Sequence, residues 1–277
     1  MGFLKTFFGG KEDNPEERKA KEAARDFDML KSEGVRALHT ARFGHAVQCL
    51  SKALTIKDDL EVHDYLMQAY VNNDQLREGF EELKILEAAQ PDNIHIITTM
   101  AKVAYMMEDY TTMCKMCEKA MLIDSDNAEV TFLYARGCRG LNDMVNAVAM
   151  YTKAIMLDSH FGAAYLERGD LLLTLGDIEG ATDDADHLME VAGDAEDVLL
   201  LKARVLMAQQ QYSDAIALYD KTIAVNPFSV AAFKGRGAAR LSLGDKEGAE
   251  SDMRQVLEIA PEELSKMSGT FAAEGKD

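Results

Sequence analysis

The chain has 277 residues, of which 48 are acidic and 30 are Lys or Arg, so its formal net charge is −18. A charge of this sign repels a phosphate backbone and argues against nucleic acid as a partner. Apolar residues make up 47% of the chain and prolines number only 4, which favours a large helical core over disorder. No apolar run is long enough to cross a bilayer.

Residues 1–26 are interpreted as a hydrophobic tip followed by the start of a capping helix. Four large apolar residues share one helical face near the beginning: Phe3, Leu4, Phe7 and Phe8. The apolar stretch is too short for a secretion signal, and the four cysteines suit reduced thiols, so we expect a cytoplasmic protein. Any contact with a membrane surface is expected through residues 1–10 alone. Asn14, Pro15 and Glu17 then predict an N-cap, a first-turn proline and a capping glutamate.

A period of 34 residues runs through most of the chain. Pro227 and Pro261 are one period apart, and Pro91 precedes Pro227 by four periods. Alanines recur at the same spacing, at Ala147, Ala181, Ala215 and Ala249. A third set of residues shares the 34-residue spacing and lies where a short turn is expected: Asn142, Gly176, Gln210 and Gly244. Because three unrelated residue sets share one period, the sequence predicts an internal repeat.

Division on this period gives seven units across residues 27–263, the first one residue short: 27–59, 60–93, 94–127, 128–161, 162–195, 196–229 and 230–263. Apolar residues in each unit recur at helical spacing in two blocks with a short turn between them. Each unit is therefore predicted to be a pair of antiparallel helices. A single pair cannot bury its own apolar face, so the units must stack into an all-α solenoid.

The period and the positions of glycine, alanine and proline resemble the tetratricopeptide repeat. In the seventh unit, the family's large, small, small, large and proline positions are occupied by Phe233, Gly237, Ala249, Met253 and Pro261. This resemblance implies a superhelix of seven repeats whose first helices line a concave groove. It also implies a protein that binds other proteins and has no enzymatic activity.

The residues with reactive side chains show no pattern of a catalytic site. Cys114 and Cys117 have the spacing of a metal or redox pair, but they fall inside a predicted helix, where buried thiols act as small apolar groups. The six histidines form no recognisable ligand pair. Gly235 and Gly237 also fall in a predicted helix and lack the context of a phosphate loop. We expect no catalytic residue, no metal and no cofactor.

A cluster of cations and aromatic residues is predicted in the middle of the groove. In this family the second, fifth, ninth and twelfth residues of a unit face the groove, and these positions give Lys102, Tyr105, Phe132, Arg136, Arg139 and Arg204. Arginine can hold a carboxylate with two parallel hydrogen bonds. The cluster therefore predicts a site for an acidic peptide segment of a partner protein. The alternative is that Arg136 and Arg204 pair with Asp170 or nearby glutamates and join adjacent units.

Residues 264–277 are predicted to form a C-terminal cap and tail, with a short capping helix from Glu262 to Phe271. For the whole chain, we expect a scaffold or adaptor that holds a peptide in the groove. Two alternatives stay open: a structural assembly subunit that self-associates through its ends, and a membrane-proximal adaptor recruited by residues 1–10.

Overall fold

The computed structural model describes residues 14–266. The hydrophobic tip at residues 1–10 and most of the predicted C-terminal cap lie outside these residues. Within the described range, fourteen α-helices follow one another without a strand, and the all-α solenoid prediction is confirmed. None of these helices combines the length and apolar composition that crossing a bilayer requires.

The chain divides into two compact units, the first ending at Ser125 and the second beginning at Asp126. The first unit contains six helices: α1 Pro15–His39, α2 Phe43–Ile56, α3 Leu60–Asn72, α4 Leu76–Ala89, α5 Ile94–Met106 and α6 Tyr110–Ile123. Each of these helices packs against the next one along the chain. The largest fully buried side chains here are those of Leu50, Leu83, Ile97 and Met113.

The second unit contains eight α-helices: α7 Ala128–Gly140, α8 Met144–Leu157, α9 Gly162–Leu175, α10 Ile178–Ala192, α11 Glu196–Ala208, α12 Tyr212–Val225, α13 Val230–Ser242 and α14 Lys246–Ile259. Successive helices pack together, and α11 also contacts both α9 and α13. At the end, Pro261–Lys266 forms a 3-10 helix. It takes the place of the first part of the α-helix expected from Glu262.

Side-chain caps fix where many of the helices begin. The Asn14 side chain accepts a hydrogen bond from the backbone N–H of Glu16 at the start of α1, with Pro15 in the first turn, as the sequence predicts. Asp109, Asp143, Asp177 and Asp245 cap second helices in the same way. These caps satisfy backbone donors that have no partner within the helix.

The turn inside each helix pair contains one residue in the left-handed region. The residues are Ala41, Asp74, Glu108, Asn142, Gly176, Gln210 and Gly244, with φ between 55° and 85°. They are 34 residues apart except for the first interval, which is one shorter. The predicted turn set from Asn142 to Gly244 is therefore confirmed.

The periodic alanines lie where paired helices approach each other. Ala147, Ala181 and Ala215 are fully buried, and Ala249 is nearly so. Glycine has the same function at Gly235, because a Cβ atom there would lie 2.2 Å from the ring of the buried Tyr219. The two glycines near Arg236 thus lie in helix α13, as predicted, and one of them makes room for an aromatic ring.

Candidate functional site

A recess of about 330 Å³ opens on the second unit. Six residues from helices α7, α9 and α11 line it: Arg139, Leu166, Glu167, Asp170, Asp197 and Arg204. These three helices are the first helices of successive pairs, which is the face where the sequence analysis places the groove. The geometry of the helices explains the convergence, because residues three, four or seven apart on a helix share a face.

Arg139 is held between two carboxylates of α9. Its Nη1 atom lies 2.7 Å from Oε2 of Glu167, and its Nη2 atom lies 2.8 Å from Oδ2 of Asp170. Partial burial lowers the pKa of Arg139, but the hydrogen bond to Asp170 and the charge of Glu167 raise it by more, so the net shift is upward. Arg139 therefore stays charged and joins α7 to α9.

Asp170 also contacts Arg204, which lies one period further along the chain. The Nη1 atom of Arg204 is 2.5 Å from Oδ1 of Asp170. One carboxylate thus bridges Arg139 on α7 and Arg204 on α11. The contact between Arg204 and Asp170 is one of the ion pairs between adjacent helix pairs that the alternative interpretation of the sequence predicts.

Two charged groups of the recess keep much of their surface in solvent. The Arg204 side chain is 46% exposed although it contacts Asp170. Asp197 is exposed, and no ion pair or hydrogen bond to its carboxylate is found within residues 14–266. The recess therefore offers a cation and an anion on the same helix, α11.

The recess carries both signs of charge, because three carboxylates lie among its lining residues beside two arginines. Of these lining residues, the groove positions considered above predicted the arginines but not Asp197 or Leu166. Both occupy predicted groove positions, the second residue of unit 196–229 and the fifth residue of unit 162–195. Reading all four groove positions of every unit, rather than mainly the ninth, would have found them.

Phe132 and Arg136 lie beside this recess on α7. Phe132 is only 9% exposed, and its ring packs against Phe161 and Tyr151 at centroid distances of 4.9 Å and 5.7 Å. Arg136 covers the same ring at 5.7 Å, with its Nε atom 3.7 Å from Oε1 of Glu167. Phe132 thus belongs to the core and supports Arg136, instead of presenting the exposed aromatic face that was expected.

The remaining predicted site residues, Lys102 and Tyr105, lie on α5 in the first unit. Lys102 is exposed, and the Tyr105 ring meets Tyr110 edge-on at 6.1 Å. Cys114 and Cys117 are both buried in helix α6. This agrees with their interpretation as apolar core residues.

The first unit has its own recess, of about 470 Å³, which involves the second helices α4 and α6. Its lining combines apolar side chains with charged ones of both signs: Arg77, Phe80, Glu81, Lys84, Met100, Met107, Asp109, Thr112, Lys115 and Met116. Since α4 and α6 are second helices, this recess differs in position from the predicted groove.

Comparison with known proteins identifies the repeat. A family model described as tetratricopeptide repeat matches residues 200–263. The protein CTR9 homolog of Arabidopsis thaliana is 29% identical over 121 residues, which are 43% of this chain. The chain matches only 11% of the length of that relative.

Solved structures share the fold at low sequence identity. A tetratricopeptide repeat protein from Parabacteroides merdae aligns with 85% of this chain and 94% of its own, at 13% identity and a TM-score of 0.71. YrrB, described as a TPR protein with an unusual peptide-binding site, aligns with 66% of this chain and 94% of its own, at 14% identity and a TM-score of 0.54. This fold supports a protein–protein interaction scaffold. Residues 200–263 thus match the tetratricopeptide repeat, and the paired helices with their 34-residue period give residues 14–266 a tetratricopeptide-repeat fold.

Proposed function

We propose that the protein is a non-enzymatic scaffold that holds a peptide segment of a partner protein in the recess formed by α7, α9 and α11. The observation that carries this proposal is the position of the recess on successive first helices, with Arg204 and Asp197 both exposed to a ligand. The peptide-binding site described for YrrB supports the choice of ligand, since that protein shares the fold.

The charges of the recess define the kind of peptide. Arg139 already uses donors on Glu167 and Asp170, so an incoming carboxylate depends mainly on the exposed side of Arg204. A basic group of the ligand meets the carboxylate of Asp197, and an apolar residue covers Leu166. The proposed ligand is therefore a segment of mixed charge. It differs in this from the acidic segment that the arginines alone predict.

The distance between Asp197 and Arg204 on α11 determines how far apart the acidic and basic residues of the peptide lie. Asp197 and Arg204 are seven residues apart, which corresponds to about 10 Å along a helix. An extended chain covers this distance in about three residues. The peptide thus carries its acidic and basic residues about three positions apart, with an apolar residue between them.

Selection of short random peptides displayed on phage tests the proposal. The selected peptide is synthesised with a fluorescent label, and its dissociation constant is measured by anisotropy against the wild-type protein and two variants, Arg204→Gln and Asp197→Asn. We expect each variant to weaken binding about tenfold, as for one lost charged contact of about 1.4 kcal/mol. The control is Arg254→Gln on α14, where the arginine is 72% exposed and far along the chain from the recess.

Two results would overturn the proposal. One is a selected peptide that binds all three variants as tightly as the wild type. The other is an equal loss in Arg254→Gln, which would show that only the general charge of the protein matters. Circular dichroism of each variant shows whether the fold is retained.

A further inference from the structure

Three side chains with metal-binding atoms converge between α1 and α2 in the first unit. They are Glu33, His45 and Cys49, and one ligand atom from each lies within 4.8 Å of the other two. The Nε2 atom of His45 is 2.9 Å from Oε1 of Glu33 and 3.7 Å from Sγ of Cys49. The same imidazole nitrogen therefore faces both the carboxylate and the thiol.

The helix pair positions this cluster through local sequence. His45 and Cys49 are four residues apart on α2, so they lie on one face of that helix. Glu33 lies on α1, next to Gly34, whose missing side chain leaves room for α2. A Cβ atom at Gly34 would lie 2.6 Å from Cγ of Leu50 and 3.4 Å from Cβ of Cys49. The close approach of the helices brings Cys49 within reach of Glu33.

Two of the three separations between ligand atoms lie near those around a tetrahedral zinc ion, and the third, between oxygen and sulfur, is at most 4.8 Å. Zinc bonds of about 2.0–2.1 Å to nitrogen, 2.3 Å to sulfur and 2.0–2.2 Å to oxygen place neighbouring ligand atoms roughly 3.3–3.6 Å apart. The separation of nitrogen and sulfur, 3.7 Å, is already close to this range. The separation of nitrogen and oxygen, 2.9 Å, has to open by about half an ångström, which a rotation of the exposed Glu33 side chain supplies.

The burial of the three groups also suits an ion that enters from solvent. Cys49 is only 5% exposed, so its sulfur is shielded from solvent. The side chains of His45 and Glu33 are 39% and 45% exposed, so an ion from solvent can reach them. Sulfur, imidazole nitrogen and carboxylate oxygen together are a ligand set that zinc prefers over magnesium or calcium. Arg36 and Arg42 lie within electrostatic range of Glu33 and reduce the attraction of a dication.

We propose that Glu33, His45 and Cys49 bind one zinc ion, with water as the fourth ligand. On binding, the Cys49 thiol releases its proton to solvent. The His45 ring exchanges, through water, the Nε2 proton that it donates to Glu33 for a proton on Nδ1, so that Nε2 is free to coordinate. The hydrogen bond between His45 and Glu33 is replaced by two bonds to the metal. The ion then joins α1 to α2 at the beginning of the first unit.

Titration of the untagged, metal-free protein with zinc, and separately with cobalt, tests this site. We expect one equivalent of zinc per chain, and with cobalt a thiolate charge-transfer band in the near ultraviolet together with the visible bands of tetrahedral cobalt. Cys49→Ser and His45→Gln should each abolish the thiolate band or the tight binding. The matched controls are the double variant Cys114→Ser with Cys117→Ser, and His39→Gln on the exposed end of α1; both should bind as the wild type does.

The titrations of the variants show whether zinc binds at Cys49 or at Cys114 and Cys117. Loss of binding in the Cys114 and Cys117 double variant, with binding retained in Cys49→Ser, would overturn the proposal. So would the absence of any thiolate band in the wild type, since His45 and Glu33 would then form only a hydrogen bond. Circular dichroism and a thermal melt in the absence of metal show that each variant is folded.

Discussion

Arg168 on α9 and Asp184 on α10 form a two-point ion pair inside the second unit. Nη2 of Arg168 lies 2.6 Å from Oδ1 of Asp184, and Nε lies 2.9 Å from Oδ2, while Asp184 is only 1% exposed. Arg168 also donates a hydrogen bond of 2.9 Å to Oγ1 of Thr152 on α8. The hydrogen bond to Asp184 raises the pKa of Arg168, outweighing the effect of burial. One arginine therefore joins three consecutive helices.

Removal of this arginine should destabilise the protein strongly. In Arg168→Met, the Asp184 carboxylate stays buried without a cation, and loss of one partner of a buried pair costs about 3–5 kcal/mol. The free energy of unfolding from urea titration measures this loss. The double variant Arg168→Met with Asp184→Leu should recover most of it, because it leaves no buried charge. Equal instability of the single and double variants would contradict this explanation.

A buried pair of arginine and aspartate recurs two repeats later, between Arg236 and Asp252. A second arginine also contacts this aspartate, so removal of the first should cost less stability. Nη2 of Arg236 lies 2.5 Å from Oδ1 of Asp252, but Nη1 of Arg240 also lies 2.9 Å from Oδ2 of Asp252. In Arg236→Met, Arg240 still compensates the buried carboxylate. Urea titration should therefore show a smaller loss of stability than for Arg168→Met. A loss as large in both variants would mean that Arg240 contributes little.

These pairs show where prediction from the sequence stops. The period alone identified the turn at Asn142, Gly176, Gln210 and Gly244, because a turn requires particular backbone angles at a fixed place in every repeat. It did not identify Asp184 as buried, since an acidic residue in a helix is ordinarily expected on the solvent-exposed face. The burial follows from its pairing with an arginine sixteen residues earlier, which depends on how two helices pack.

The candidate site was likewise predicted only in part from the sequence. Arg139, Arg136 and Arg204 were placed near one another from their groove positions, and the structure brings them together around Glu167 and Asp170. The burial of Phe132 was not predicted, because an apolar residue at a groove position can face either a ligand or the neighbouring helix. Phe132 faces the protein core, because its ring packs against Phe161 and Tyr151.

The turn residues offer a test of backbone strain that involves no side-chain contact. Gly176 has φ of 84°, and a Cβ atom there would meet nothing within 4 Å. Gly176→Ala should therefore cost about 1–2 kcal/mol from conformation alone. Gln210 has φ of 60° at the equivalent position, so Gln210→Gly should stabilise the protein by up to about 1 kcal/mol. Thermal or urea unfolding measures both, and a shift of the same sign in the two variants would contradict the strain argument.

His63 on α3 should make the stability of the first unit depend on pH. It is 8% exposed, and its ring nitrogens contact Glu82 at 2.5 Å and Asp58 at 2.8 Å. Burial lowers the pKa of His63, but the hydrogen bonds to Glu82 and Asp58 raise it by more, so the net shift is upward. The folded protein thus holds the proton more tightly than the unfolded chain.

The sign of the effect follows from this upward shift. The protonated His63 contributes its full stabilisation below the unfolded pKa of about 6.5, and the contribution disappears as the pH rises through the higher folded pKa. The difference in unfolding free energy between the wild type and His63→Gln should therefore be largest in mild acid and shrink towards alkaline pH. Urea titrations at a series of pH values measure it. A difference that grows with pH would show that His63 is neutral in the folded protein.

The most direct test of peptide binding in the recess is a methyl NMR titration with the selected peptide. Leu166 lies in the recess, whereas Leu50 is fully buried in the first unit and is the internal control. We expect the Leu166 methyl signals to shift strongly and the Leu50 signals to stay in place, with the Leu166 shift reduced in Arg204→Gln at the same peptide concentration. A peptide that binds while the Leu166 signals do not move would place the binding site elsewhere and contradict the proposed function.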